Sequence, residues 1–165
     1  MTSEHLLHTI PPICDGNSKI LILGSFPSVK SREVSFYYGH PQNRFWRVLA
    51  AVLGCAVPSS NEEKTALLQS HNIALWDVIK SCDIVGSSDS SIKNVVPNDI
   101  GVILSSCGIR QIYSNGKTSE KLFNKYIKDT VGRDTVALPS TSPANASYNL
   151  ERLTDSWSVI KNNIR

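Results

Sequence analysis

The chain has no run of Lys or Arg, no Cys-x-x-Cys pair, and no apolar run approaching the roughly 20 residues of a membrane span. Each absence removes a class of protein. Without a basic run, a histone-like or polybasic binder is excluded. The excess of 17 basic over 14 acidic residues, a net charge of +3, permits contact with phosphates but does not demonstrate it. The four cysteines, Cys14, Cys55, Cys82 and Cys107, are far apart, so the spacing of a zinc site is missing. They are either free thiols in a reducing cytosol or ligands of an iron–sulfur cluster, and the first is the simpler account. The N-terminal MTSEHLLHTIPP has no positive segment leading into a long apolar core, so it does not read as a signal peptide. Cytoplasmic placement without a membrane follows as the expectation. Charged residues make up 19% and apolar residues 41%, the balance of an ordinary globular chain. Its 165 residues suit one domain, 1–165, with 1–18 as a loose lead-in. Repeats and low-complexity tracts are also missing.

What is present is concentrated in one stretch, Leu21 to Trp46. The apolar run Lys19 to Leu23 enters Gly24 and predicts a buried, parallel strand. Around it, short apolar runs alternate with helical patterns. Asn43–Leu53, Glu62–Ser70, Asp99–Ser106 and Ser119–Ile127 predict helices. Asn72–Val78, Ile109–Ser114 and Asp134–Leu138 predict strands. Ser81–Asn94 is polar and reads as loop. Leu150, Leu153, Trp157, Ile160 and Ile164 form an amphipathic stripe on a last helix. This alternation predicts an α/β chain built as a three-layer αβα sandwich on a four-stranded, mainly parallel sheet. Ligands of such folds bind at the carboxyl ends of the strands. That selects the loops after Leu23, Leu75, Ser114 and Leu138.

Those loops hold the unusual residues. In Gly24-Ser25-Phe26-Pro27-Ser28 the glycine allows a sharp turn or a close ligand, and Phe26 either stacks on a planar ligand or tucks into the core. Phe36 to Trp46 sets rings beside His40, Gln42 and Asn43, which suits a planar, hydrogen-bonding ligand such as a base. Asn43 also stands where a helix N-cap would be. Leu138 to Asn145, LPSTSPAN, offers hydroxyls and amides in a stiff loop, suited to phosphate or simply to capping. Asp77 is the one acid at a strand end. Asn115-Gly116-Lys117-Thr118 imitates the end of a P-loop, but Gln111 stands where its first glycine belongs, which excludes that motif. Of the histidines, only His40 lies in a constellation, and no catalytic triad or acid pair is visible.

The strand entering Gly24-Ser25-Phe26-Pro27, the segment His40-Pro41-Gln42-Asn43-Arg44-Phe45-Trp46 and the late Ser140 to Asn145 loop together resemble the uracil-DNA glycosylase superfamily. HPQNRFWRV is very similar to the matching stretch of the bacterial mismatch-specific uracil/thymine glycosylases. GSFPS, FYYGHPQNRFW and STSPAN together resemble most closely the hypoxanthine-DNA (deoxyinosine) glycosylase branch. One departure matters. Related branches carry Asp or Asn at the position of Phe26 to activate water, and Phe26 cannot.

The resemblance implies a monofunctional glycosylase without metal or cofactor, acting as a monomer on double-stranded DNA that contains a deaminated base. It implies Asn43 as the catalytic residue, its side-chain carbonyl holding a water. Phe26, Tyr37, Tyr38, Asp77 and Asn115 would then contact the base. Ser25, Pro27, Ser28, Ser140, Ser142, Pro143, Ala144 and Asn145 would contact the DNA backbone. The alternatives are a uracil or mismatch-specific glycosylase, a non-catalytic lesion-binding module on the same fold, and a small-molecule hydrolase on a flavodoxin-like sheet.

Overall fold

The computed structural model describes residues 2–165. In chain order the elements are β1 (Glu4–Leu7), β2 (Ile20–Gly24), α1 (Val29–Val34), α2 (Phe45–Leu53), α3 (Asn61–Ser70), β3 (Ile73–Asp77) and β4 (Ile79–Ile84). They continue with β5 (Lys93–Pro97), α4 (Ile100–Ser106), β6 (Gln111–Asn115), α5 (Lys117–Tyr126), α6 (Lys128–Val131), β7 (Thr135–Leu138) and α7 (Leu150–Trp157). Among the described residues no helix is long and apolar enough to cross a membrane.

The main sheet has four strands in the order β3-β2-β6-β7, all parallel. β2 is buried at every position, which explains its unbroken apolar sequence. Its side chains alternate between two cores. Ile20 and Ile22 meet Phe45, Val48, Leu49 and Trp157 from α2 and α7. Leu21 and Leu23 meet Ile100, Ile103 and Phe123 from α4 and α5. These are the three layers expected. α2 forms because Phe45, Trp46, Val48, Leu49 and Val52 fall on one helical face, and Gly54 at φ 70 ends it. Each such side chain contributes roughly 1.5–3 kcal/mol when taken out of water. The crossover from β2 to β3 covers one face of the sheet, and the return through α4 to β6 covers the other. The strand order therefore reverses at β2, and a crevice opens beyond the carboxyl ends of β2 and β6.

Two sequence expectations are corrected. The lead-in is not loose. β1 pairs antiparallel with β4, and Ile10 and Ile13 are buried, with Ile13 bridged to Leu75 through both backbone bonds. Ser81–Asn94 is not simply loop either. β4 and β5 form, with β1, a second antiparallel sheet in the order β1-β4-β5. Irregular register around Ser81 and Asp83 breaks the period-two pattern, and most of β5 is exposed or half-exposed. Neither strand thus carries the alternation that announces a sheet. β4 follows β3 after a single residue, Val78. The chain therefore leaves the parallel sheet at Asp77 and enters the second sheet at once. This link carries β1 and the residues after it over the end of β3.

Candidate active site

A cavity of about 380 Å³ occupies the crevice, within the range of small-molecule sites. Its lining comes from the β2–α1 loop, Tyr37 to Asn43, the ends of β3 and β6, the 140–144 loop, and Ser87 and Asp89.

Gly24 sits at the inner wall. A Cβ there would collide with Asp77 Oδ1 and crowd the Tyr38 hydroxyl, so any side chain at this position must push Asp77 aside. Val78 N donates to Gly24 O at 2.9 Å and Ile79 N to Ser25 O at 3.1 Å, pinning the loop to the start of β4. Phe26 is half-buried. It meets the His8 ring edge-on at 6.1 Å, and the Arg32 guanidinium lies 5.8 Å from its centroid. Arg32 is in turn fixed by the carbonyls of Pro27 and Gly86. Ser28 caps α1, its hydroxyl accepting from Ser31 N.

The inner end of the cavity is polar. His8 Nε2 donates to Asp77 Oδ2 at 2.8 Å, and the two side chains are only 1% and 5% exposed. Asp77 Oδ1 accepts no hydrogen bond among the described residues, and Asp77 is one of the residues that line the cavity. Beside it the Tyr38 hydroxyl is buried without a partner, a state worth about 1–3 kcal/mol of instability. Burial and the Asp77 charge push both the Tyr38 and the Tyr37 phenols well above their ordinary range. The Tyr38 ring stacks on Phe45 at 4.1 Å, and its backbone holds φ 52, a sparsely populated conformation for a bulky residue. Tyr37 is 2% exposed, its hydroxyl donates to Pro11 O, and its main-chain carbonyl accepts from Trp46 Nε1. Its hydroxyl is thereby tied to the backbone of the segment after β1.

Thr141 joins the two amide side chains. Its hydroxyl donates to Asn43 Oδ1 at 2.9 Å and accepts from Asn115 Nδ2 at 3.0 Å, while Thr141 N donates to Asn115 Oδ1. Phe45 N also donates to Asn43 Oδ1 at 2.9 Å. Both carbonyl lone pairs of Asn43 are thereby engaged, and its amide nitrogen has no protein partner among the described residues. Arg44 secures the late loop through bonds to the carbonyls of Thr141, Ser142, Asn145 and Tyr148. In that loop Ser140 Oγ accepts from Ser142 N, and Ser142 Oγ accepts from Ala144 N. Asn145 Nδ2 donates to Ser140 O, and Pro143 and Ala144 are exposed at the rim.

The fold thus brings together residues far apart in sequence. Of the residues expected to act on the bond, the base or the DNA backbone, all but Asn145 line the cavity, and Asn145 braces its loop; Gln42 is not part of the lining. The sequence does not single out His8, Thr141 or Arg44 as individual residues. Thr141 and Arg44 lie inside motifs that it does show, but nothing local marks His8. The expectation that His40 alone among the histidines sits in a constellation is corrected. His40 is an exposed rim residue, and His8 is the histidine buried against an acid. The cysteines are free thiols, Cys82 and Cys107 buried and Cys55 exposed. Among the described residues no group of three His, Cys, Asp or Glu side chains is placed to hold a metal ion.

A hypoxanthine DNA glycosylase of Methanosarcina barkeri is 36% identical over 82% of this chain and 85% of its own length. A second, from Methanosarcina acetivorans, is 34% identical over 91% of this chain and 94% of its own. The solution NMR structure of a candidate uracil DNA glycosylase from Methanosarcina acetivorans superposes with a TM-score of 0.79 at 33% identity, covering 92% of this chain and 94% of that one. The sequence model of the Uracil DNA glycosylase superfamily matches residues 11–162, and this chain belongs to that superfamily.

Proposed function

We propose that the protein is a monofunctional DNA glycosylase that removes a deaminated base, hypoxanthine foremost, from double-stranded DNA. It leaves an abasic site. The carrying observation is a cavity with a polar inner end at Asp77 and Tyr38 and the Asn43–Thr141 pair beside it. Relatives named for hypoxanthine support that choice of base. The enzyme works as a monomer at the nucleoid.

A base inside a duplex is out of reach, so the nucleotide must be flipped into the cavity. Phe26 then flanks the base, with Tyr37 as wall. Asp77, Tyr38 and Asn115 meet its polar edge. Ser25 and Ser28 meet one flanking phosphate together with the backbone at Pro27. Ser140 and Ser142, on the loop of Pro143, Ala144 and Asn145, meet the other. The Ser140 and Ser142 hydroxyls accept from backbone amides, which leaves their own protons free to donate to phosphate.

Cleavage breaks the bond between C1′ and the base nitrogen, and the electron pair leaves with the base. The sugar gains oxocarbenium character, as in other glycoside hydrolysis. The neighbouring phosphates' negative charge offsets it. Water oxygen then bonds to C1′, and the proton it loses ends on the departing base or in solvent. Asn43 orients this water. The Phe45 amide fixes the Oδ1 position. The Thr141 hydroxyl proton is a rotor, and turning it away frees the second lone pair for water. Among the described residues the cavity lining holds no lysine for a Schiff base, which supports the monofunctional outcome.

The test is excision from duplexes carrying one hypoxanthine, uracil or xanthine, followed by alkali. Strand scission at hypoxanthine is expected, and scission at none of the three would sink the proposal. A non-catalytic lesion-binding module is the second reading, favoured by Phe26 at the usual acid position and by the engaged carbonyl of Asn43. Tight lesion binding without base release would establish it.

A further inference from the structure

Deamination changes one edge of a base in a defined way. Adenine presents an acceptor at N1 beside an amino donor, and cytosine presents an acceptor at N3 beside the same group. Hypoxanthine, xanthine and uracil present an N–H donor beside a carbonyl. A site that accepts from that N–H therefore separates hypoxanthine from adenine and uracil from cytosine.

We propose that Asp77, held by His8, is such an acceptor, and that the Tyr38 hydroxyl is the donor to the adjacent carbonyl. The proposal rests on the glycosylase reading above and deepens it. An ionised carboxylate can only accept, so it matches the N–H of a deaminated base and repels the ring lone pair of adenine or cytosine. The geometry singles out one oxygen. His8 Nε2 takes Asp77 Oδ2 at 2.8 Å, and no side-chain or main-chain donor among the described residues takes Oδ1. Oδ1 and the Tyr38 hydroxyl both abut Gly24, the one residue of the wall that has no side chain. The Tyr38 hydroxyl is buried and unpartnered among the described residues, and Tyr38 is one of the residues that line the cavity. A keto–imide edge supplies what each group lacks. The His8 bond prevents the carboxylate from rotating, so His8 is a positioning residue. Asn98 Nδ2 adds to the rigidity by donating to the main-chain oxygen of Asp77 at 2.9 Å.

The reader is broad by construction. It admits hypoxanthine, xanthine and uracil alike. Guanine carries the same edge, so its rejection falls to the stability of its pair with cytosine, which resists flipping.

The test measures binding, so that it stands apart from catalysis. Duplexes carry a single 2′-fluoro nucleotide, inert to cleavage, opposite an abasic site that equalises the flipping cost. The bases are hypoxanthine, 1-methylhypoxanthine and adenine. Wild-type protein is expected to bind hypoxanthine at least tenfold more tightly than the other two. Asp77→Asn is expected to reduce the hypoxanthine-to-adenine ratio at least tenfold, because its amide can donate to N1 of adenine. Tyr38→Phe should weaken hypoxanthine binding and leave 1-methylhypoxanthine unchanged. His8→Ala should lower the ratio and His8→Gln, which keeps a donor, should restore it, whereas loss of fold would weaken all three duplexes together. Equal wild-type affinity for hypoxanthine and 1-methylhypoxanthine overturns the proposal, as does an unchanged ratio in a folded Asp77→Asn. Selective binding without excision of ordinary deoxyinosine would leave the edge reader standing and reject the catalytic reading.

Discussion

The Thr141 hydroxyl donates to Asn43 Oδ1 at 2.9 Å across 98 positions of chain, and this bond joins the first half of the protein to its last loop inside the cavity. It ties the proposed water holder to the proposed phosphate grip.

Asn43→Ala should fold, because α2 is held by its apolar face, yet lose about 10²–10³-fold in single-turnover base release, the range for removing one preorganised polar group. Thr141→Val removes the hydroxyl and keeps the shape, and should lose less. Alkali-revealed strand scission under single-turnover conditions measures both. Full activity in a folded Asn43→Ala would take Asn43 out of the mechanism.

Arg44→Ala should act mainly on stability. It strands the carbonyls of Thr141, Ser142, Asn145 and Tyr148, which share one guanidinium. A loss of about 2–3 kcal/mol is expected, since bonds to a charged donor are stronger than neutral ones. Lysine cannot reproduce the planar fork, so Arg44→Lys should recover only part of it. Thermal melting reads the difference, and an unchanged midpoint in Arg44→Ala would refute the clamp.

Gly24→Ala should impair the site more than the fold. The added methyl displaces Asp77 Oδ1 and presses on the Tyr38 hydroxyl, while the backbone needs no unusual φ at this position. Activity on hypoxanthine duplex should fall at least tenfold with a modest shift in melting temperature. Equal loss of activity and folded fraction would show the effect to be structural.

Alkaline pH should destabilise the protein in a defined window. Burial raises the Cys82 thiol to about 11 and pushes the Tyr37 and Tyr38 phenols higher still. The folded state therefore keeps these protons when the unfolded chain, with thiols near 8.5 and phenols near 10, begins to lose them. By linkage, the stabilisation is fully present below about pH 8 and declines progressively as pH rises above about 9. Melting temperature followed from pH 8 to 11 should fall, and Cys82→Ala should flatten the first part of the decline. A flat profile in the wild type would contradict the burial of these groups.

The sequence by itself determined the main sheet and the proposed catalytic neighbourhood. β2 is legible because a strand buried on both faces has to be apolar throughout. α2 and α7 are legible because their core stripes recur at helical spacing. Gly24, Asn43 and the Ser140–Asn145 loop are legible because they lie at the ends of such elements, where a local pattern survives.

Only the tertiary structure decided the rest. β1 has four residues, largely exposed, and its pairing with β4 depends on a partner 78 residues away, as in the His5–Asp83 contact. No periodicity signals such a strand. His8 is ordinary in its local sequence and becomes a site residue because β4 leaves β3 one residue after Asp77, which lays the segment after β1 over the carboxylate. The same holds for Asn43 Oδ1, whose type was readable but whose engagement by Thr141 was not. Local patterns record which face of an element is buried. They do not record which polar atoms from distant segments the packing then forces to share one cavity.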